Sequence, residues 1–140
     1  MAARGEYEAA YLVFTAALGH GVETSGLYFN LGVCAGHLGE QDEAARDYSR
    51  AIDFDPGYAQ AYDNLGRLYY GQGKSAEAAH YHREALRINP RSARSHMFLG
   101  EALLQKGQYG EAIRLFREAV RLQPDLLDAR NNLGVALGTM

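Results

Sequence analysis

Five histidines, one cysteine and a recurring asparagine are the side chains of this 140-residue chain whose types could do chemistry. The histidines combine poorly into a metal site. His80 and His82 stand two apart, and on a helix such a pair points to different faces. A helical metal pair needs a four-residue step, as in H-E-x-x-H. His20 and His37 fall near expected helix ends, where capping accounts for them. His82 and His96 fall in expected packing slots. Cys34 is the only cysteine, so neither an intrachain disulfide nor a multi-cysteine metal site can form. It sits beside Val33 and Ala35 with nothing nearby to lower its pKa, and reads as a small packing residue rather than a nucleophile. No serine occupies a nucleophile elbow, and the glycines are spaced evenly instead of clustering into a phosphate loop. The residues therefore predict no catalysis, no cofactor and no metal.

Charge and hydropathy exclude further classes. Arg114, Arg117 and Arg121 form a basic stripe, but Glu111 and Glu118 lie within one turn of Arg114, as on an ion-paired outer face. The net charge of -3 gives no general attraction to phosphate backbones or anionic lipid, so no nucleic-acid partner is expected. No apolar run is long enough to span a bilayer. Ala9 to Leu18, preceded by Arg4, resembles a short signal-peptide core, yet Glu6 and Glu8 stand where a positive flank is wanted. The same segment is in register with later parts of the chain at Gly5, Ala10, Phe14 and Ala17, which favours a structural role. The lone cysteine fits a reducing, cytoplasmic setting.

What must position any functional side chain is a repeat. Pro56, Pro90 and Pro124, the only prolines, stand 34 residues apart. Gly32, Gly66, Gly100 and Gly134 keep that period, as do Gly5, Gly39, Gly73 and Gly107, and Ala10, Ala44, Ala78 and Ala112. A small unit is stacked several times, each burying its apolar face against its neighbours. Full units span 25–58, 59–92 and 93–126, after a second helix within 6–22 and before a first helix at 127–140. First helices are predicted over 25–38, 59–71 and 93–106, second helices over 41–54, 75–88 and 109–122, from apolar steps such as Tyr62, Leu65 and Tyr69. Glycine at 39, 73 and 107 can end each first helix in the left-handed conformation. Asp42 and Ser75 can cap the next helix. The prolines stop each second helix. Gly32, Gly66 and Gly100 lie mid-helix, where glycine costs about 1 kcal/mol against alanine, so they predict close approach of the paired helix. Phe14, Tyr48, His82 and Phe116 share one slot and should fill the gap between units.

The motif Tyr62, Leu65-Gly66, Tyr69, Gly73, Glu77-Ala78, His82, Ala85, Pro90 recurs as His96, Leu99-Gly100, Leu103, Gly107, Glu111-Ala112, Phe116, Ala119, Pro124. In this the chain resembles the tetratricopeptide repeats, which are 34-residue helix-turn-helix units. The resemblance covers nearly the whole chain. Its departures are His82 and His96 at aromatic slots, Ala35 for a larger residue, and Val22 in place of a first proline. It implies an all-α, right-handed α-solenoid of stacked antiparallel helix pairs. It also implies that first helices line a concave groove.

Carried over, the groove-facing positions are Gly26, Phe29, Asn30, Val33 and His37, then Gln60, Asp63, Asn64, Arg67 and Tyr70. The third unit offers Arg94, Met97, Phe98, Glu101, Leu104 and Gln105, and the last helix Asp128, Asn131, Asn132 and Val135. Asn30, Asn64 and Asn132 share the slot before Leu-Gly. An amide donates and accepts at once, so such a row can grip a peptide backbone without reading side chains. It resembles the asparagine ladder in the repeat region of O-linked N-acetylglucosamine transferases, though Phe98 interrupts it. Phe29, Val33, Tyr70, Met97, Phe98 and Leu104 are apolar where water should reach, and an exposed apolar patch marks an interaction site. Some family members clamp acidic chaperone tails. Asn64 and Arg94 match parts of that clamp, but Phe29, Val33 and Phe98 occupy its other slots, so no such clamp is expected.

The residues and the resemblance together predict a non-catalytic scaffold that holds a protein or peptide segment in its groove. Two alternatives stand beside this. The incomplete terminal units could join head to tail, with Gly5 as the turn glycine following Met140, giving a homo-oligomer. The chain could also be the substrate-recruiting arm of a larger enzyme such as a glycosyltransferase.

Overall fold

A computed structural model describes residues 2–139. These are helical throughout, with no strand among them: α1 (Ala2–Gly19), α2 (Ser25–His37), α3 (Gln41–Phe54), α4 (Ala59–Gly71), α5 (Ser75–Ile88), α6 (Ala93–Gln105), α7 (Tyr109–Leu122) and α8 (Leu127–Thr139). The tightest pairings join α2 to α3, α4 to α5 and α6 to α7, and each hairpin leans on the next through α3 on α4 and α5 on α6. α4 also touches α6, and α6 touches α8, with no comparable contact between helices of the other layer. So α2, α4, α6 and α8 lie on the inside of the curve. The chain is an α-solenoid.

The punctuation works as its chemistry dictates. Gly39, Gly73 and Gly107 have φ of 82°, 76° and 80°, a conformation that L side chains rarely adopt. The amides that follow, of Glu40, Lys74 and Gln108, reach back to the carbonyls of Ala35, Tyr69 and Leu103 at 2.9 Å, closing each first helix with a Schellman-type turn. Asp55, Asn89 and Gln123, each just before a proline, leave the helical region at φ of -141°, -130° and -143°, as the proline ring favours. Where proline gives way to Val22, Gly21 at φ 81° does the work, and Val22 donates to the Ala17 carbonyl at 3.0 Å.

Two local expectations are corrected. Asp42 and Ser75 are not caps: both lie inside their helices, and the N-cap positions are Glu40 and Lys74, whose side chains make no capping bond. Side-chain caps occur instead at Thr24 and Ser92, which accept from the amides of Leu27 and Ser95. Gly5 is not a turn glycine either. α1 runs straight through it from Ala2, and its φ is not positive.

The core is a stack of small-large contacts. An alanine Cβ placed at Gly32, Gly66 or Gly100 would meet ring atoms of Tyr48, His82 or Phe116 at 2.6, 2.7 and 2.6 Å. Glycine is thus what allows each second-helix ring to sit on the first helix. Ala44, Ala51, Ala78, Ala85, Ala112 and Ala119 are fully buried along the same seams.

One buried group opposes the rest. Asp47 on α3 is 2% exposed. Its Oδ1 accepts from Arg50 at 3.3 Å, and its Oδ2 has no hydrogen-bond partner among the described residues. Burial pushes its carboxyl up to about 6, the Glu43 charge adds to this, and Arg50 and Arg46 offset only part of it. Between about pH 4 and 6 the folded chain therefore holds a proton that the unfolded chain has released, and stability rises as pH falls through that window. Asp47→Asn is expected to stabilise the fold by about 1–2 kcal/mol near neutral pH and to flatten this rise. Thermal melts of both proteins across the window check it. An Asn variant that melts lower at neutral pH contradicts it.

Candidate functional site

The concave face is shaped by what the inner helices present at their second, fifth, sixth and ninth positions. Two depressions meet at Asn64. One, of about 370 Å³, is lined by Phe29, Gln60, Asp63, Asn64, Arg94, Ser95 and Phe98. The other, of about 330 Å³, is lined by Val33, His37, Tyr48, Asn64, Arg67 and Leu68. Phe29, Val33, Asn64, Arg67, Arg94 and Phe98 are thus brought together. Asn30 and Asn131 are exposed outside both depressions, and Tyr70 is half-buried against the core.

Met97 and Phe98 are not water-facing, and the expectation of an apolar patch there is corrected: they are 4% and 5% exposed. The fifth slot of α2, α4 and α6 points into the junction between successive hairpins. Met97 packs into the core there, and Phe29 stacks on Tyr58 with ring centres 5.0 Å apart. Phe98 reaches the groove, but two cations cover it. The Arg67 guanidinium lies 4.7 Å from its ring centre and that of Arg94 lies 5.5 Å away, both within cation–π range. Both arginines are exposed, and neither forms an ion pair among the described residues. The groove therefore carries two guanidinium groups braced by one aromatic floor.

Beneath them lies a polar junction with little sequence signal. Asp63 on α4 accepts from His82 Nδ1 on α5 at 2.9 Å and, through its other oxygen, from the Ser95 hydroxyl on α6. His82 and Ser95 are buried, and the three groups tie three helices together below the groove floor. His82 stands in an aromatic slot and Ser95 in a small one, so only their polarity at buried positions hinted at the link.

The asparagine row is partly engaged. Asn132 donates to Glu101 Oε1 at 2.8 Å, and Asn64 Nδ2 lies 3.5 Å from the Tyr48 hydroxyl. Both amide carbonyls have no hydrogen-bond partner among the described residues. Burial raises the Glu101 carboxyl, while its bond to Asn132 and the charge of Arg67 pull it back. Burial likewise raises Cys34 and pushes Tyr48 up to about 12. On the outer face Arg121 pairs with Glu118, and Glu111 approaches Arg83 at 4.0 Å instead of Arg114. No described helix is long and apolar enough to cross a membrane, and the described residues bring together no group of three or more His, Cys, Asp or Glu side chains placed to hold a metal ion.

No curated protein matches the chain. Among solved structures, MamA overlays with a TM-score of 0.87 at 19% identity, covering 98% of this chain and 80% of that one. The first TPR of Spaghetti (RPAP3) bound to the HSP90 peptide SRMEEVD gives 0.80 at 22% identity, covering 83% and 92%. YrrB, described as a TPR protein with an unusual peptide-binding site, gives 0.81 at 22% identity, covering 93% and 67%. These likenesses show the fold. The tetratricopeptide repeat model matches residues 64–126 and 104–137, and a second TPR repeat model matches 37–73. The spacing, the helix hairpins and these matches agree, and the chain belongs to the tetratricopeptide repeat family.

Proposed function

We propose that the chain acts by binding rather than by catalysis, and that its concave face holds an extended peptide segment across α4 and α6. The observation that carries this reading is the pair Arg67 and Arg94, exposed, without ion pairs, and held in place over Phe98 beside Asn64. Braced guanidinium groups lose little freedom when they engage a carboxylate or a row of carbonyls. The amide of Asn64 can bond the main chain of the same segment. Structural neighbours described as peptide-bound or as having a peptide-binding site support peptide binding as a use of this fold. The buried lone thiol of Cys34 is compatible with a reducing, cytoplasmic setting.

Peptides selected from a random display library on the 140-residue chain supply the probe. Their affinity for the parent and for Arg67→Ala/Arg94→Ala is compared by fluorescence anisotropy. Both side chains are exposed, so the fold should persist. A loss of about 10–100-fold is expected, the scale of one or two charge-assisted hydrogen bonds. Peptides that bind the double variant as tightly as the parent would remove the groove reading.

A second reading, that the chain also associates with itself, is favoured by apolar residues left open on α1 and α8. Val13 is 66% exposed and Leu137 is 47% exposed.

A further inference from the structure

The pairing of a second helix on a first is made three times inside this chain, and α1 and α8 each present one unpartnered half of it among the described residues. In each complete hairpin a ring from the second helix sits on a mid-helix glycine of the first: Tyr48 on Gly32, His82 on Gly66, Phe116 on Gly100. Gly134 on α8 holds the same slot as those glycines, yet nothing lies within 4 Å of where its Cβ would be. Phe14 on α1 holds the same slot as those rings, and it is half-buried where all three are buried. Their neighbours repeat the pattern. Leu137 is exposed where Ala35 and Leu103 are buried, and Val13 is exposed where Asp47 is buried. One face is a socket without a ring and the other a ring without a socket. The two are apolar and share the register of the internal pairs.

We propose that α1 of one copy docks on α8 of a second copy, with Phe14 seated on Gly134, so that the two complete one helical hairpin between them. This rests on the self-association reading and gives it a geometry. Val13, Phe14 and Ala17 of one copy meet Leu133, Gly134 and Leu137 of the other. Each contact leaves one α1 face and one α8 face open. The interface is heterologous, and copies add head to tail along the line of the solenoid.

Sedimentation equilibrium of the 140-residue chain between about 1 and 100 μM tests it. The mass of the parent is expected to rise above the 15.4 kDa of one chain as concentration increases. Val13→Glu blocks the head and Gly134→Glu blocks the tail. Both sites are exposed, so neither variant should disturb the monomer. Each variant alone is expected to stay at one-chain mass, and an equimolar mixture to reach a two-chain mass and stop, because the one open tail and the one open head pair with each other and leave only the blocked ends. A parent that is monomeric throughout overturns the self-association reading and this proposal with it. The two faces would then await another occupant, such as further helices of a longer polypeptide. A parent that associates while either variant alone does the same overturns only the head-to-tail geometry, and points to a symmetric contact. A mixture that stays monomeric also overturns that geometry.

Discussion

Phe116→Ala is expected to destabilise the chain by about 3–5 kcal/mol, the range for emptying a fully buried aromatic site. The ring is 0% exposed and belongs to the core cluster that joins α5, α6, α7 and α8. It also fills the notch above Gly100, where its Cε1 lies 2.6 Å from the position a Cβ would take. Glycine has no side chain to lean into the cavity, so the site cannot collapse cheaply. In a stacked array each unit is held by its neighbours, so the loss should appear first as release of α7 and α8, before the rest melts. Denaturant unfolding followed by far-ultraviolet circular dichroism checks this. The variant should give an earlier and broader transition. A midpoint unchanged from the parent would show that the ring is not the keystone of the last hairpin.

Gly100→Ala and Gly134→Ala, the same change in the same slot of successive units, are expected to act with opposite signs. At Gly100 the new methyl would meet Phe116 Cε1, Cδ1 and Cζ at 2.6, 2.9 and 3.0 Å. That ring is enclosed on all sides and has nowhere to go. Overpacking of this kind costs about 1–3 kcal/mol, more than the roughly 1 kcal/mol gained in helix propensity. A net loss follows. At Gly134 nothing lies within 4 Å, so only the propensity gain of about 0.5–1 kcal/mol remains. Thermal melts of both variants at a concentration where the chain is monomeric separate the outcomes. Two changes of the same sign would mean that the ring-on-glycine contact does not govern the pairing.

The frame of the molecule was legible because its signals are local and repeated. A proline fixes the extended residue before it, and a glycine supplies the left-handed turn, whatever lies elsewhere. The expected helices at 41–54, 59–71, 75–88 and 109–122 meet Gln41–Phe54, Ala59–Gly71, Ser75–Ile88 and Tyr109–Leu122. What could not be read depends on which helix faces which, and how closely. Met97 and Phe98 looked water-facing by their place in the repeat. Met97 is buried because its slot points into a junction, and Phe98 because Arg67, one repeat earlier, folds over it together with Arg94. The link from Asp63 to His82 and Ser95 joins residues 19 and 32 positions apart. No spacing rule within one helix anticipates it. Asp47 offered no warning at all. An aspartate in a second helix reads as solvated, and only the packing around α3 shows its carboxylate shut away from water.

That the inside of the curve is where a partner lies is tested most directly by mapping a library-selected peptide onto the chain by amide chemical-shift perturbation. The largest shifts should fall on the inner helices around Asn64, Arg67, Arg94 and Phe98, with the outer helices α3, α5 and α7 little changed. Shifts concentrated on those outer helices, or on the open faces of α1 and α8, would contradict it.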